Sequence, residues 1–367
     1  MRIRAAVVWE KGGPFAIEDL DLEKPGPEEV LVRVVGTGVC HTDLIVRDQW
    51  YPVPLPAVLG HEGAGVVEQV GDRVAKVQAG DHVVLTYMSC GRCRNCIQGK
   101  PTYCLDLFSQ NFSGSRPDRS TGLRKNGQVL HSHFFGQSSF ATHALAWERN
   151  VVKVRRDVPL ELLGPLGCGI QTGAGGVLNS LRPAAGTTLA VFGTGSVGMS
   201  AVMAARVAGC ATIIGVDVKP NRLELARELG ATHTVNAKET PDVVGEIQRI
   251  TGGGADYSIE TTASPQVFRQ AVDCLTLPGV CGLIGAAALG TEVTLDMNNI
   301  LFGRVVRGII EGDSVPDIFI PRLVELYTQG RFPFDRLIKQ YPLDRINEAA
   351  RDSEEGRVVK PVLATAS

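Results

Sequence analysis

From about residue 187 the chain alternates apolar strand-like runs with helical ones: TTLAVFG, SVGMSAVMAARVAG, ATIIGVD, NRLELARELG, THTVN, DVVGEIQRITG, ADYSIE, PQVFRQAVDCL and VCGLIG. Strand and helix in strict alternation predict a parallel sheet whose crossover helices cover both faces, an α/β doubly wound sheet. Between the first strand and the first helix lies Gly193-Thr194-Gly195-Ser196-Val197-Gly198. In that context the G-x-G-x-x-G pattern is a dinucleotide fingerprint. Gly193 permits the tight turn, Gly195 lets backbone approach a pyrophosphate, and Gly198 seats the helix on the sheet. The N–H groups of the helix N-terminus, beginning at Ser196 and Val197, face the phosphates. Asp217 closes the second strand, 19 residues past Gly198. There it is placed to accept the adenosine ribose hydroxyls, and its charge repels a 2′-phosphate, which predicts NAD over NADP. Lys219 and Arg222 follow closely and read two ways: as cations that tolerate a 2′-phosphate, or, for Arg222, as a border to the adenosine of NAD.

The first 165 residues read differently, as short β segments broken by Gly and Pro: IRAAVVW, EVLVRVVGTGV, GAGVVEQVG, DHVVLT and ERNVVKV. They predict a barrel-like β body with long loops. Residues 109–127, SQNFSGSRPDRSTGLRKNG, are the one long polar stretch and read as a surface loop. After about residue 308 the pattern is mixed again, with a helix-like PRLVELYTQG and a strand-like RVVKPVL. Because the α/β block is internal, this last part is expected to rejoin the β body.

A chain of 367 residues exceeds what one core usually supports, so two domains are expected. Lys plus Arg number 37 against 39 Asp plus Glu, a balance that argues against nucleic-acid or anionic-membrane partners and for small metabolites. No stretch approaches the roughly 20 apolar residues of a membrane span, and the N-terminal apolar run is too short for a secretory signal.

Four of the nine cysteines, Cys90, Cys93, Cys96 and Cys104, fall in CGRCRNCIQGKPTYC with the spacing C-x2-C-x2-C-x7-C. One small loop can then offer four thiolates to a single ion, a closed structural zinc site. Clustered metal spacing, unlike the dispersed pairing of a secreted scaffold, fits a reducing cytoplasm. Cys40, His61 and Cys168 are dispersed. Together they are a two-thiolate, one-imidazole set with a vacant fourth position, but singly each reads as well as a buried core residue.

The segment GHEGAGVVEQVG, the four-cysteine loop and GTGSVG occur in the order found in zinc-dependent medium-chain alcohol dehydrogenases, and the chain resembles that family over essentially its whole length. The resemblance implies a GroES-like β-rich catalytic domain (1–169 and 309–367) and a Rossmann doubly wound parallel-sheet cofactor domain (170–308). It implies two zinc ions per subunit, one on Cys40, His61 and Cys168, the other on the four-cysteine loop. Glu62 is similar to a carboxylate that transiently approaches the metal. Asp43 is similar to the partner that orients the ligand imidazole, and Thr42 to the hydroxyl that takes the alcohol proton. His41 matches a contact to the cofactor pyrophosphate, or acts as a base, and Lys360 matches a cation at the same pyrophosphate. One departure stands out: where many relatives carry a relay histidine, this chain has Ile45, which cannot carry a proton.

Ile45, Trp50, Tyr51, Phe134 and Phe135 are the candidate substrate pocket, an apolar, aromatic lining suited to a flat alcohol. Ile45 together with the loop HSHFFGQSSFATHA resembles the bacterial aryl (benzyl) alcohol dehydrogenase branch. The expected function is therefore NAD-dependent oxidation of aromatic or allylic primary alcohols to aldehydes by a homo-oligomer, dimer or tetramer. The alternatives are a glutathione-dependent formaldehyde dehydrogenase-like enzyme and a non-catalytic dinucleotide-binding relative.

Overall fold

The structure is a computed structural model describing residues 1–365. The described chain divides into two compact units: residues 1–168, 315–328 and 335–365 form one, and 169–314 and 329–334 the other. The divisions fall at 168/169 and 314/315, against the expected 169/170 and 308/309. Residues 309–314 stay with the second unit, where Gln171 Nε2 donates to Glu311 Oε2 at 3.2 Å and Ser314 Oγ to Gln171 Oε1 at 2.9 Å.

In the first unit, one sheet runs in the order Ala57–Val58, Arg2–Val8, Phe15–Leu22, Leu123–Lys125, Gln128–Leu130. A second runs Val151–Lys153, His82–Leu85, Gly63–Val70, Glu29–Gly38, Lys360–Ala364, Ile338–Pro342, and His143–Trp147 also pairs with Glu29–Gly38. The closing strand therefore does rejoin the β body, with Val362 opposite Gly38. The helix Pro316–Thr328 is tied there by Lys76 to Asp317 at 2.6 Å and Arg155 to Glu325 at 2.9 Å. The strand Phe15–Leu22 is an addition to the predicted elements; its pairing covers the whole of Arg2–Val8, from Arg2 opposite Asp21 to Val8 opposite Phe15. The stretch 109–127 is not simply a surface loop: the helix Leu107–Phe112 overlaps its start, and Leu123–Lys125 is a strand.

The second unit is a six-stranded parallel sheet in the order His233–Asn236, Thr212–Asp217, Thr188–Phe192, Ala255–Glu260, Leu275–Leu283, Val305–Gly308. The central strand Thr188–Phe192 buries Leu189, Ala190, Val191 and Phe192 completely. That continuous apolar run is what a strand covered on both faces requires, at about 1.5–3 kcal/mol for each large side chain removed from water. No helix among the described residues is long and apolar enough to cross a membrane.

Candidate active site

Cys40 lies where the strand Glu29–Gly38 gives way to the helix His41–Arg47, and is the N-cap of that helix. Its backbone N–H donates to Asp43 Oδ2 at 3.0 Å, the return bond of a capping box. The other carboxylate oxygen, Asp43 Oδ1, accepts from Gly60 N–H at 3.1 Å and from His61 Nδ1 at 2.8 Å. One buried carboxylate thus fixes the chain at Cys40 and the ring of His61 together. With Nδ1 donating, the imidazole presents a bare Nε2. That nitrogen is buried and has no hydrogen-bond partner.

The ligand atoms of Cys40, His61, Glu62 and Cys168 all lie within 4.8 Å of one another. A hydrogen bond from Cys168, working against burial and aided by the nearby Lys360 and His61, holds the Cys40 thiol well below the usual thiol range. Two sulfurs, one primed toward thiolate, and an orphaned imidazole nitrogen are a donor set that fits zinc. Glu62 reaches this cluster because residue 38 is glycine: a Cβ there would stand 1.9 Å from Glu62 Oε2. Lys360 Nζ donates to both Glu62 oxygens at 2.9 Å and to Val39 O at 3.3 Å. Burial opposes the Lys360 charge, yet Glu62 and the neighbouring thiols raise its pKa above the ordinary value.

The second cysteine group is independent of the first. Cys90, Cys93, Cys96 and Cys104 converge within the same 4.8 Å limit, and all nine cysteines are free. Backbone N–H groups donate to the sulfurs: Leu105 to Cys93 at 3.5 Å, Cys93 to Cys90 at 3.3 Å, Cys90 to Cys104 at 3.2 Å. The bond from Leu105, with another from Cys96, lowers the Cys93 thiol to about 6. Such N–H···S bonds favour thiolates, while burial pushes Cys96 up and Cys104 to about 12; the convergence of four sulfurs is what fits a metal.

Beside His61 stands an aromatic wall. The Phe135 ring lies 4.5 Å from the imidazole at 32°, and Phe134 meets it edge-on at 5.5 Å. Phe112 packs against both, at 5.2 and 5.8 Å, and Tyr51 packs on Phe112 at 5.9 Å and Phe108 at 6.3 Å. Phe134 and Phe135 are buried, whereas Phe108 is 58% exposed.

In the second unit the fingerprint is built as its glycines demand. Gly193 has a positive φ of 85°, and a Cβ at Gly198 would meet Gly193 O at 1.8 Å. Around Gly195 the space is open, with Arg222 Nη1 nearest at 4.0 Å. Ser196 Oγ and Arg222 Nε are buried without partners. Asp217 is held rigidly: Thr194 donates N–H at 2.7 Å and Oγ1 at 2.9 Å to Oδ2, and the N–H groups of Val218 and Lys219 reach Oδ1. An open backbone face at a helix N-terminus beside orphaned donors fits a dinucleotide.

Residues 26–156 match the alcohol dehydrogenase GroES-like domain, and residues 196–328 the zinc-binding dehydrogenase domain. The chain is 48% identical to geraniol dehydrogenase of Castellaniella defragrans over 98% of its length and 97% of that protein's. It belongs to the zinc-dependent medium-chain alcohol dehydrogenases. Two crystal structures of this alcohol dehydrogenase family superpose over the full length of both chains. One is benzyl alcohol dehydrogenase from Acinetobacter calcoaceticus (TM-score 0.97, 50% identity). The other is an alcohol dehydrogenase zinc-binding domain protein from Burkholderia ambifaria (TM-score 0.98, 58% identity).

Within this alcohol dehydrogenase the expected residues are unevenly gathered. Cys40, His61, Glu62, Cys168 and Asp43 come together, and Thr42 Oγ1 stands 3.8 Å from Cys40 Sγ. Ile45 is buried one turn beyond, and His41 is exposed at the start of the same helix. Trp50 is 52% exposed, and among the described residues no ring contact joins it to the aromatic wall. Lys360, expected at the cofactor pyrophosphate, is 2% exposed and paired with Glu62. Phe112 lies inside the stretch that reads as polar loop and Phe108 directly before it, so neither entered the predicted pocket; the F-x3-F spacing, which puts both rings on one helix face, is the available signal.

Proposed function

We propose that this alcohol dehydrogenase oxidises aromatic or allylic primary alcohols to aldehydes, transferring hydride to NAD. The observation that carries the reading is the aromatic wall: Phe134 and Phe135 lie directly against His61, backed by Phe112, with Tyr51 behind. A flat, apolar alcohol gains stacking and desolvation there, while a carboxylate-bearing substrate finds no cation in that wall. The names of the geraniol and benzyl alcohol dehydrogenases it resembles support the same class.

Cys40, His61 and Cys168 would hold a catalytic zinc, and the four-cysteine loop a structural one, two per subunit. When bound, zinc supplies Lewis-acid polarisation of the alcohol oxygen and NAD supplies the hydride acceptor. The chain's own contribution is positional. Asp43 keeps His61 in one tautomer, Thr42 offers its hydroxyl as acceptor for the alcohol proton, and Phe134 and Phe135 exclude water and orient the substrate. Glu62, held by Lys360, would offer a further carboxylate beside the donor set. Ile45 supplies no onward proton path, so the proton reaches solvent by His41 or directly.

NAD over NADP is supported by Asp217, whose fixed carboxylate repels a 2′-phosphate, with Arg222 4.0 Å away bordering the adenosine. A homo-oligomer is supported by the outer edge of the second sheet. The end strand Val305–Gly308 is exposed throughout, and Met297, Leu301 and Phe302 beside it are 86%, 74% and 65% exposed. Free thiols throughout suit a reducing cytoplasm.

Kinetics with NAD and NADP across benzyl, cinnamyl, geraniol-like allylic and short aliphatic alcohols test the proposal. Higher kcat/KM for the aromatic and allylic alcohols with NAD is expected; equal efficiency on ethanol and benzyl alcohol rejects the pocket argument.

A further inference from the structure

The loop that carries Phe134 and Phe135 is held in a backbone that side chains resist. His133 (φ 62°), Phe135 (φ 51°) and Ser138 (φ 53°) all adopt left-handed conformations, as does Gly136 between them. Each such non-glycine residue costs on the order of 1–3 kcal/mol and persists only where its surroundings over-determine it. At the far end the restraints are ordinary hydrogen bonds. Asn150 Nδ2 donates to Phe135 O at 3.0 Å, and Ser138 Oγ to Val58 O at 2.6 Å. At the near end the restraint is ionic and buried.

His133, only 2% exposed, sets Nε2 2.9 Å from Glu29 Oε1 and Nδ1 2.7 Å from Ser132 Oγ. Glu29, 1% exposed, begins the strand that ends just before Cys40. Its charge is met by Arg116, whose guanidinium makes a two-pronged contact, Nε to Oε1 at 2.7 Å and Nη2 to Oε2 at 3.1 Å. Gly26 N–H adds a bond to Oε2 at 2.7 Å. Arg116 is in turn held by Glu23 Oε2 at 3.2 Å and Ser120 Oγ at 3.3 Å. The planar fork matters: it satisfies both carboxylate oxygens while leaving the Oε1 lone pair that His133 uses.

We propose that Arg116 is a positioning residue for substrate selectivity, acting through Glu29 and His133 to hold the left-handed loop 133–138 and thereby set Phe134 and Phe135 against His61. It touches no substrate. Its effect rests on the aromatic-alcohol reading above, because only a substrate that uses those rings feels their displacement. A shift of about 1 Å in a positioning group is enough to cost orders of magnitude in rate.

The test compares wild type, Arg116→Met and Arg116→Lys as zinc-loaded full-length enzyme. Arg116→Met is expected to lower the ratio of kcat/KM for benzyl alcohol to that for ethanol about tenfold or more, chiefly through KM for benzyl alcohol, the size of a misfitted apolar pocket. Arg116→Lys, which keeps the charge and loses the fork, is expected to fall between. Hydrogen–deuterium exchange of peptides covering 131–140 is expected to quicken in Arg116→Met at unchanged zinc content. Should Arg116→Met fail to fold, His133→Asn serves. It tolerates the left-handed backbone but is too short to reach Glu29, and the same two changes are expected. An unchanged exchange rate at 131–140, or an unchanged selectivity ratio in a variant that has merely lost thermal stability, overturns the brace. A wild type with no preference for benzyl alcohol instead overturns the substrate reading, and the exchange measurement still decides the brace.

Discussion

Lys360 and Glu62, 298 residues apart, form a buried two-pronged ion pair beside the candidate catalytic ligands, with Nζ 2.9 Å from each carboxylate oxygen. Neither charge is tolerable there alone. Lys360→Met leaves a desolvated carboxylate next to two sulfurs and is expected to cost about 3–5 kcal/mol, whereas Lys360→Met with Glu62→Met should recover most of that loss. Equilibrium urea unfolding of the two variants checks this. A single variant as stable as wild type rejects it.

Asp43 joins the backbone of Cys40 to the imidazole of His61. Asp43→Asn keeps the shape but no longer enforces the tautomer that leaves Nε2 bare. Zinc affinity at that site is expected to fall about 10–100-fold, read by competition with a chromogenic chelator.

The two cysteine groups predict separable losses. Cys93→Ser should reduce zinc from two ions to one per chain and lower thermal stability, since its loop is bound together by its sulfurs. Cys40→Ser should also leave one ion but abolish turnover with a smaller effect on stability. Metal analysis beside calorimetry distinguishes these outcomes, and equal losses from both variants contradict the assignment.

Ile45, which by resemblance stands where many relatives carry a relay histidine, is 3% exposed. Ile45→His is expected to raise kcat on the acid side of the pH profile by restoring a proton carrier. Superimposable pH–rate curves for wild type and variant would sink the idea.

Against the upward push of burial, hydrogen bonds from His133, Arg116 and Gly26 bring Glu29 from 4.5 to about 2. A carboxylate lowered on folding stabilises the native state above its unfolded pKa, and that contribution drains away as pH falls from about 4.5 toward 2. The thermal midpoint of wild type minus that of Glu29→Gln should therefore be constant near neutrality and begin to shrink below about pH 5. Both proteins share the same thiolate ligands, so metal loss cancels in the difference. A difference that stays flat down to pH 4 contradicts the ion network.

What the sequence determined by itself were the features set by neighbours along the chain. Gly193 to Gly198 read as a cofactor loop because strand, turn and helix follow within one short segment, and the sheet order that seats Asp217 beside Thr194 follows from that pattern. The Cys90–Cys104 loop read as a metal site because its spacing alone brings four sulfurs together. Cys40, His61 and Cys168 were legible only through family resemblance, since no local pattern marks three dispersed residues as one site. The tertiary structure alone decided the rest. It made Lys360, read from the sequence only as a cation near the cofactor, the partner of Glu62, and turned Arg116, in a stretch that reads as polar loop, into the clamp of a buried carboxylate. The physical reason is that a buried charge is stable only with a partner, and which residue becomes that partner depends on where distant strands converge, a property of the folded sheet and not of any stretch of sequence.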